Sequence, residues 1–191
     1  MMDYPAVFTA LIDPIIGKEG HYSDDAADSG GATCWGITEA EARAFGYTGD
    51  MRTMPRDDAV SCYYRQYWLQ PMFDQLAAID EPIAGKLLDI GINCGATTGG
   101  RFLQRALNVL DGGGKCFPRL TTDGVCGAMT RAALVAFAKQ RGPDGRRVLL
   151  GMIISLQSVF YITDAEDRPS QAVFIYGWEL NRAVGTKFTG A

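Results

Sequence analysis

Glu19-Gly-His-Tyr22-Ser-Asp24-Asp25-Ala-Ala-Asp28-Ser-Gly30-Gly31-Ala-Thr33-Cys-Trp35-Gly36-Ile37-Thr38 is the stretch from which the rest of the chain is read. Ahead of it, Phe8, Leu11, Ile12, Ile15 and Ile16 recur at helical spacing, and that pattern predicts a helix over residues 3 to 18, with Pro14 kinking it or marking a restart after Asp13. The pattern runs into Glu19 and stops at Gly20, so packing holds a carboxylate at the end of an apolar element. Desolvation disfavours the charged form of a carboxyl group, which makes Glu19 a candidate general acid near neutral pH. After it, Gly20, Gly30, Gly31 and Gly36 are turn formers, and the polar residues between them read as a short hairpin or loop. That loop brings Asp24, Asp25, Asp28 and Thr33 near Glu19. A glycosidic bond is hydrolysed by an acid that protonates the leaving oxygen and a second carboxylate that activates water or stabilises an oxocarbenium-like state. One short segment can supply both.

The pattern E-G-x-Y, then D-x-G-G-x-T, then W-G-I-T resembles the N-terminal signature of the family-108 glycoside hydrolases. These are N-acetylmuramidases of phage endolysins and secretion-linked bacterial systems. Glu19, Tyr22, Asp28, Gly30, Gly31, Thr33, Trp35, Gly36, Ile37 and Thr38 carry the match. The order and spacing of Glu, Asp and Thr is also similar to the catalytic trio of phage-type lysozymes. That resemblance implies Glu19 as acid, Asp28 as base and Thr33 as a hydroxyl that positions water, with inversion at the anomeric carbon. Further on, Asp89-Ile-Gly-Ile-Asn-Cys-Gly95 resembles an F-N-x-G element, which implies Asn93 as a substrate contact. Thr122-Asp-Gly-Val-Cys-Gly127 with Thr130 resembles the D-G-x-x-G-x-x-T element of the peptidoglycan-binding module that accompanies the family. The activity implied is cleavage of the β-1,4 bond between N-acetylmuramic acid and N-acetylglucosamine, with no metal and no cofactor.

Bland readings stand beside these. Asp28 before Ser-Gly is also a common turn cap, which leaves Asp24 and Asp25 as alternative bases. Thr33 can be an ordinary strand residue. Tyr22 and Trp35 can be core fillers or sugar-stacking platforms. His21, the chain's one histidine, reads as a rim residue. Asp24-x-Ala-x-Asp28 has Ala and Ser29 where a calcium loop needs a ligand and a Gly, so calcium is not expected.

The 191 residues, 47% apolar and 21% charged, suit one well-buried globular body. A net charge of −4 argues against nucleic acid and leaves wall capture to a local cleft. Five cysteines without a C-x-x-C pair suit reduced thiols, although Cys116 and Cys126 flank a loop and are candidates to pair. No signal peptide is visible before Lys18, so the chain is expected to be made in the cytoplasm and to act in the periplasm, delivered by a holin or a secretion system. Val148 to Ile162 is broken by Gly151, Ser155, Gln157 and Ser158 and reads as a buried core helix too short to span a bilayer.

Elsewhere the pattern is helical. Thr38-Glu-Ala-Glu41 fits a capping box, Pro55 with Asp57 and Asp58 opens a helix bearing the aromatic stripe Tyr63, Tyr64, Tyr67 and Trp68, and Pro82 opens another running to Asn93. A final helix from about Arg168 holds Val173, Phe174, Tyr176 and Trp178. The expectation is an α+β, mostly α, lysozyme-like fold with a small β-hairpin next to Glu19 and a helical C-terminal half. Residues 1–88 read as the catalytic region and 89–191 as a helical peptidoglycan-binding-like region, packed into one compact monomer. A lytic transglycosylase and a non-catalytic peptidoglycan-binding or secretion accessory protein are the alternatives.

Overall fold

The computed structural model describes residues 3–16, 22 and 32–184. Eight α-helices and one two-stranded antiparallel hairpin make up the described chain, with short 3-10 and π turns between them. This is the mostly α, lysozyme-like arrangement with a small hairpin that the sequence predicts.

Helix α1, Ala6–Ile16, buries Phe8, Ile12 and Ile16, one residue per helical turn. It runs without restart through Pro14. The only backbone donor a proline lacks there is one bond of the ladder, and burial of the apolar face outweighs it. Strands β1, Thr33–Cys34, and β2, Ile37–Thr38, pair with Thr33 opposite Thr38 and Cys34 opposite Ile37. Thr38 then caps α2, Glu39–Ala44: its hydroxyl accepts from Glu41 N while the Glu41 carboxylate accepts from Thr38 N at 3.0 Å. The capping box read from the sequence is therefore formed in full.

Helix α3, Arg56–Tyr63, continues without a break into a π-helical stretch, Tyr64–Leu69. The wider turn re-aims the aromatic stripe. Trp68 is fully buried, and the ring of Phe8 meets Tyr64 edge-on at 5.0 Å and Trp68 at 6.3 Å. After Met72, which takes a left-handed backbone (φ 61°), comes α4, Phe73–Ala77. Helix α5, Glu81–Cys94, is the centre of the molecule. Asp80 caps it by accepting from Ile83 N at 3.1 Å, and Ile83, Ala84, Leu87, Leu88 and Ile90 are all buried. Helices α1, α4, α6 and α7 all pack against it.

Helix α6, Thr98–Leu110, begins with a glycine pair, and the reason is spatial. A Cβ on Gly99 would lie 2.3 Å from the Leu87 carbonyl oxygen of α5, and one on Gly100 would lie 2.0 Å from the Gly124 carbonyl oxygen. The loop that follows is fastened to α6 by side-chain amides: Asn108 exchanges two bonds with the Leu120 backbone (2.7 and 2.8 Å), and Gln104 accepts from Gly124 N while donating to Asp123 at 2.8 Å.

Helix α7, Ala128–Asp167, spans 40 residues with a break at Gly142 (φ 60°, ψ −153°) before Pro143. Two sequence expectations are corrected here. Val148 to Ile162 is not a fully buried core helix: Leu149, Ile153, Gln157 and Tyr161 turn inward, whereas Val148, Val159 and Ile162 are exposed. Nor is it cut short, because helix continues on both sides of it, and by length and composition α7 is apolar enough to cross a membrane. Periodicity cannot count how many neighbours a helix has, and this one has neighbours on one side. Cys116 and Cys126 do not pair; Cys126 is buried, and Cys116 Sγ lies 2.7 Å from Gln140 Oε1. Helix α8, Ala172–Trp178, is preceded by a 3-10 turn, Pro169–Gln171, and followed by a π turn, Glu179–Val184. One core runs unbroken from Phe8 of α1 to Ile153 of α7.

Candidate active site

Glu19, Asp28, Asp24, Asp25 and His21 lie outside the described residues, so the site is built from what frames them. On one side stands the buried end of α1 at Ile16, three residues before Glu19; on the other, the hairpin that opens at Thr33.

The hairpin turn is Cys34-Trp35-Gly36-Ile37. Both central residues have positive φ, Trp35 at 55° and Gly36 at 76°, the type I′ pairing that matches strand twist. Glycine adopts this backbone freely. Tryptophan does so only at a strain on the order of 1 kcal/mol, and such strain persists where the surroundings fix it. Here the indole Nε1 donates to the Met54 carbonyl at 2.8 Å, and the Tyr63 hydroxyl donates to the Trp35 carbonyl at 3.3 Å. Trp35 is thus a half-buried, anchored residue whose indole N–H is committed to the protein. The Tyr63 ring stacks on Tyr67 at 5.6 Å, and Tyr67 in turn lies against Gly91 of α5, where an added Cβ would be 3.8 Å from its ring. Burial, reinforced by the negative charge of Glu41, pushes the Tyr67 hydroxyl up to about 12. An aromatic row therefore links the hairpin to the end of α5 that carries Asn93.

Asn93 is half-buried there. Its Nδ2 donates back to the Asp89 carbonyl at 3.1 Å, which fixes the amide, while its Oδ1 makes no bond among the described residues. Thr33 is half-buried in β1. Tyr22 faces a cleft of about 460 Å³ that it lines together with Ala32, Glu39, Arg43, Asp50 and Arg52. The structure brings Tyr22 together with the residue next to Thr33; Trp35 and Asn93 do not line that cleft, and the row of Tyr63 and Tyr67 runs from the hairpin towards the end of α5 that carries Asn93.

Sequence reasoning missed the polar half of this cleft. Arg52 sits over the Tyr22 ring, 5.9 Å from its centroid, on a turn capped by Asp50, whose carboxylate accepts from Arg52 N at 2.9 Å. Arg43 is paired with Glu39 at 2.7 Å and donates to the Tyr47 and Gly49 carbonyls, tying down the intervening loop. No periodicity or motif marks these residues, because the cleft forms from separate turns.

Burial alone would raise the Glu41 carboxyl, but hydrogen bonds from Gln66 and from the Thr38 backbone and hydroxyl outweigh it and hold the group below the usual carboxylate range. Asp123 is likewise lowered, first by the bond from Gln104. Both stay ionised and neither suits proton donation near neutral pH.

Comparison with known proteins adds the following. Residues 12–95 match the family model described as Glycosyl hydrolase 108, and residues 98–184 match the one described as Predicted Peptidoglycan domain. The two stretches meet between α5 and α6. Among solved structures, SagA of Brucella abortus aligns with a TM-score of 0.58 and 22% identity, over 93% of this chain and 95% of that one. At that identity the likeness is one of fold. Comparison with curated proteins finds no relative.

Proposed function

From a chain that belongs to the glycosyl hydrolase 108 family over residues 12–95, and carries a peptidoglycan domain over residues 98–184, we propose an N-acetylmuramidase. Its family activity is glycoside hydrolysis and its partner is peptidoglycan. The finer reading is that it cleaves the β-1,4 bond between N-acetylmuramic acid and N-acetylglucosamine. The observation that carries this is the first family match, which spans Glu19, Asp28 and Thr33 in one stretch.

In this reading Glu19 protonates the leaving glycosidic oxygen as the bond to the anomeric carbon breaks. Asp28 takes a proton from the attacking water, which Thr33 holds in line, and the configuration inverts. Tyr22, Trp35 and Asn93 hold the glycan. One observation supports the assignment: the hairpin bearing Thr33 and Trp35 is anchored by the Trp35 indole on the Met54 carbonyl. Catalysis belongs to the N-terminal region and wall binding to the C-terminal one, packed as a single unit. The enzyme acts on the wall from the periplasm after delivery by a holin or a secretion system.

The test is mass spectrometry of soluble products from purified Gram-negative peptidoglycan, comparing wild type with Glu19→Gln. Reducing N-acetylmuramic ends that vanish in the variant are expected. Anhydro ends would mean a lytic transglycosylase and remove Asp28 from its role, and no release by wild type would mean a wall-binding protein without turnover.

A further inference from the structure

Beyond the Gly142 break, α7 turns Leu149, Ile153, Gln157 and Tyr161 inward, packs Leu150, Met152, Leu156 and Phe160 partly against the core, and leaves an apolar line exposed on the other side, with Met152 at its inner edge. Val148 is 49% exposed, Val159 56% and Ile162 54%. With Met152 and Ser155 between them they fall at 148, 152, 155, 159 and 162. Alternate steps of four and three are the spacing at which one helix offers another a continuous seam, whereas a helix facing water or lipid needs no such register. The one polar member is already satisfied: Ser155 Oγ donates to the Gly151 carbonyl at 2.8 Å, so covering it strands no hydrogen-bonding group. Gly151 borders the seam, and a Cβ there would meet nothing within 4 Å, so the middle of the stripe is flat and open. Small residues four apart let two helix backbones approach closely. Helix α8 packs beside this end of α7 through Tyr161 and Trp178 at 5.6 Å, on the inward side and not across the stripe.

Charge selects the occupant. Residues 139–147 hold Lys139, Arg141, Arg146 and Arg147 against Asp144, and residues 164–168 hold Asp164, Glu166 and Asp167 against Arg168. Arg146 is paired with Asp80, Arg147 with Asp144 and Asp164 with Arg168, so the charges of these stretches left without an ion pair among the described residues are Lys139 and Arg141, just before the Gly142 break, at one end and Glu166 and Asp167 at the other. A surface of this kind is complementary to its own copy turned end for end. A two-fold axis at Ser155 brings the Val148 end of one helix to the Ile162 end of the other, basic end to acidic end. An anionic lipid surface would be repelled by the acidic end.

We propose that the C-terminal half of α7 is a self-association face, on which a second copy of this chain packs antiparallel about Ser155. This departs from the monomer expected on sequence grounds. It also does not depend on the muramidase reading, since the face lies outside the catalytic region.

Sedimentation velocity of the full chain across the micromolar range tests it, together with oxidative cross-linking. Wild type is expected to double its mass as concentration rises. Val159→Glu and the milder Val159→Ser, both at an exposed site, are expected to keep the circular dichroism spectrum and remain monomeric. Ser155→Cys is expected to form a disulfide-linked dimer that wild type, with its five native cysteines, does not form, and Val148→Cys is expected not to. A wild type that stays monomeric overturns the proposal, as does a dimer that survives both Val159 variants. Cross-linking through Val148→Cys in place of Ser155→Cys overturns the antiparallel arrangement. A monomer that co-sediments with phospholipid vesicles through Val159 would give the face to a bilayer instead.

Discussion

The Trp35 indole reaches across the hairpin to the Met54 carbonyl at 2.8 Å, and that bond holds a tryptophan in the left-handed backbone region at φ 55°. The turn is therefore fixed from outside, by the 3-10 turn Met51–Thr53 that precedes Met54, and not by its own residues alone. Trp35→Phe keeps an aromatic ring but removes the indole donor, one of the bonds that hold the strained turn. Thermal or urea denaturation is expected to show a loss of about 1–2 kcal/mol. If the proposed muramidase reading holds, release of soluble peptidoglycan fragments is expected to fall as well, because Thr33 rides on the same hairpin.

Glu41 closes the capping box of α2 and also accepts from Gln66 at 3.0 Å. Its folded carboxyl lies below the usual value, so the ionised form is the one that stabilises the fold. That contribution is present above the unfolded value, near 4.3, and is lost as pH falls through the lower folded one. Glu41→Gln is expected to be less stable than wild type at neutral pH, and the gap is expected to close on acidification. Thr38→Ala, which removes the other half of the box, is expected to lose about 1 kcal/mol. Denaturation midpoints measured from neutral to acidic pH check both.

Gly99 and Gly100 sit where the two family regions meet, each against backbone. Backbone atoms 2.3 and 2.0 Å from a new Cβ cannot move away as a flexible side chain can. Gly100→Ala and Gly99→Ala are each expected to destabilise by about 1–3 kcal/mol or more. Gly127→Ala, at a site where a Cβ meets nothing within 4 Å, is expected to change little. A shared loss by Gly127→Ala would count against steric contact as the cause.

Asp89 compensates two cations, one on its own helix and one ninety-three residues further on. Its oxygens take Lys86 at 3.1 Å and Arg182 at 2.7 Å, and Lys86, only 7% exposed, also donates to the Arg182 carbonyl. Burial lowers the Lys86 ammonium, with Asp89 working against that. Asp89→Ala strands a buried charge and is expected to lose about 3–5 kcal/mol and to release the C-terminal π turn. Hydrogen exchange across residues 179–184 reports the release.

The helices were readable because their signals are local. Thr38 and Glu41 are three residues apart and bond to each other, Pro55 and Pro82 open helices through a fixed φ, and α1 repeats its apolar residues every turn whatever lies opposite. The hairpin could be read from Gly36, yet the left-handed Trp35 beside it could not, because the bond that holds it comes from Met54, nineteen residues on. The π stretch Tyr64–Leu69 was equally invisible: Tyr63, Tyr64, Tyr67 and Trp68 spell an ordinary aromatic stripe, and nothing in their spacing marks the wider turn.

The sequence by itself determined the family and the mostly helical class, since each rests on residue type and short spacing. Only the tertiary structure decided which groups share a cleft and which faces are covered. Arg52 and Tyr22 are thirty residues apart and meet over one ring, and Asp89 finds Arg182 ninety-three residues away. Val159 and Ile153 belong to one apolar run, yet one ends exposed and the other buried. The physical reason is common to all of these. A side chain's type says what it can bond to or bury against, whereas its partner is chosen by how the helices pack, and packing sums over contacts distant in the chain.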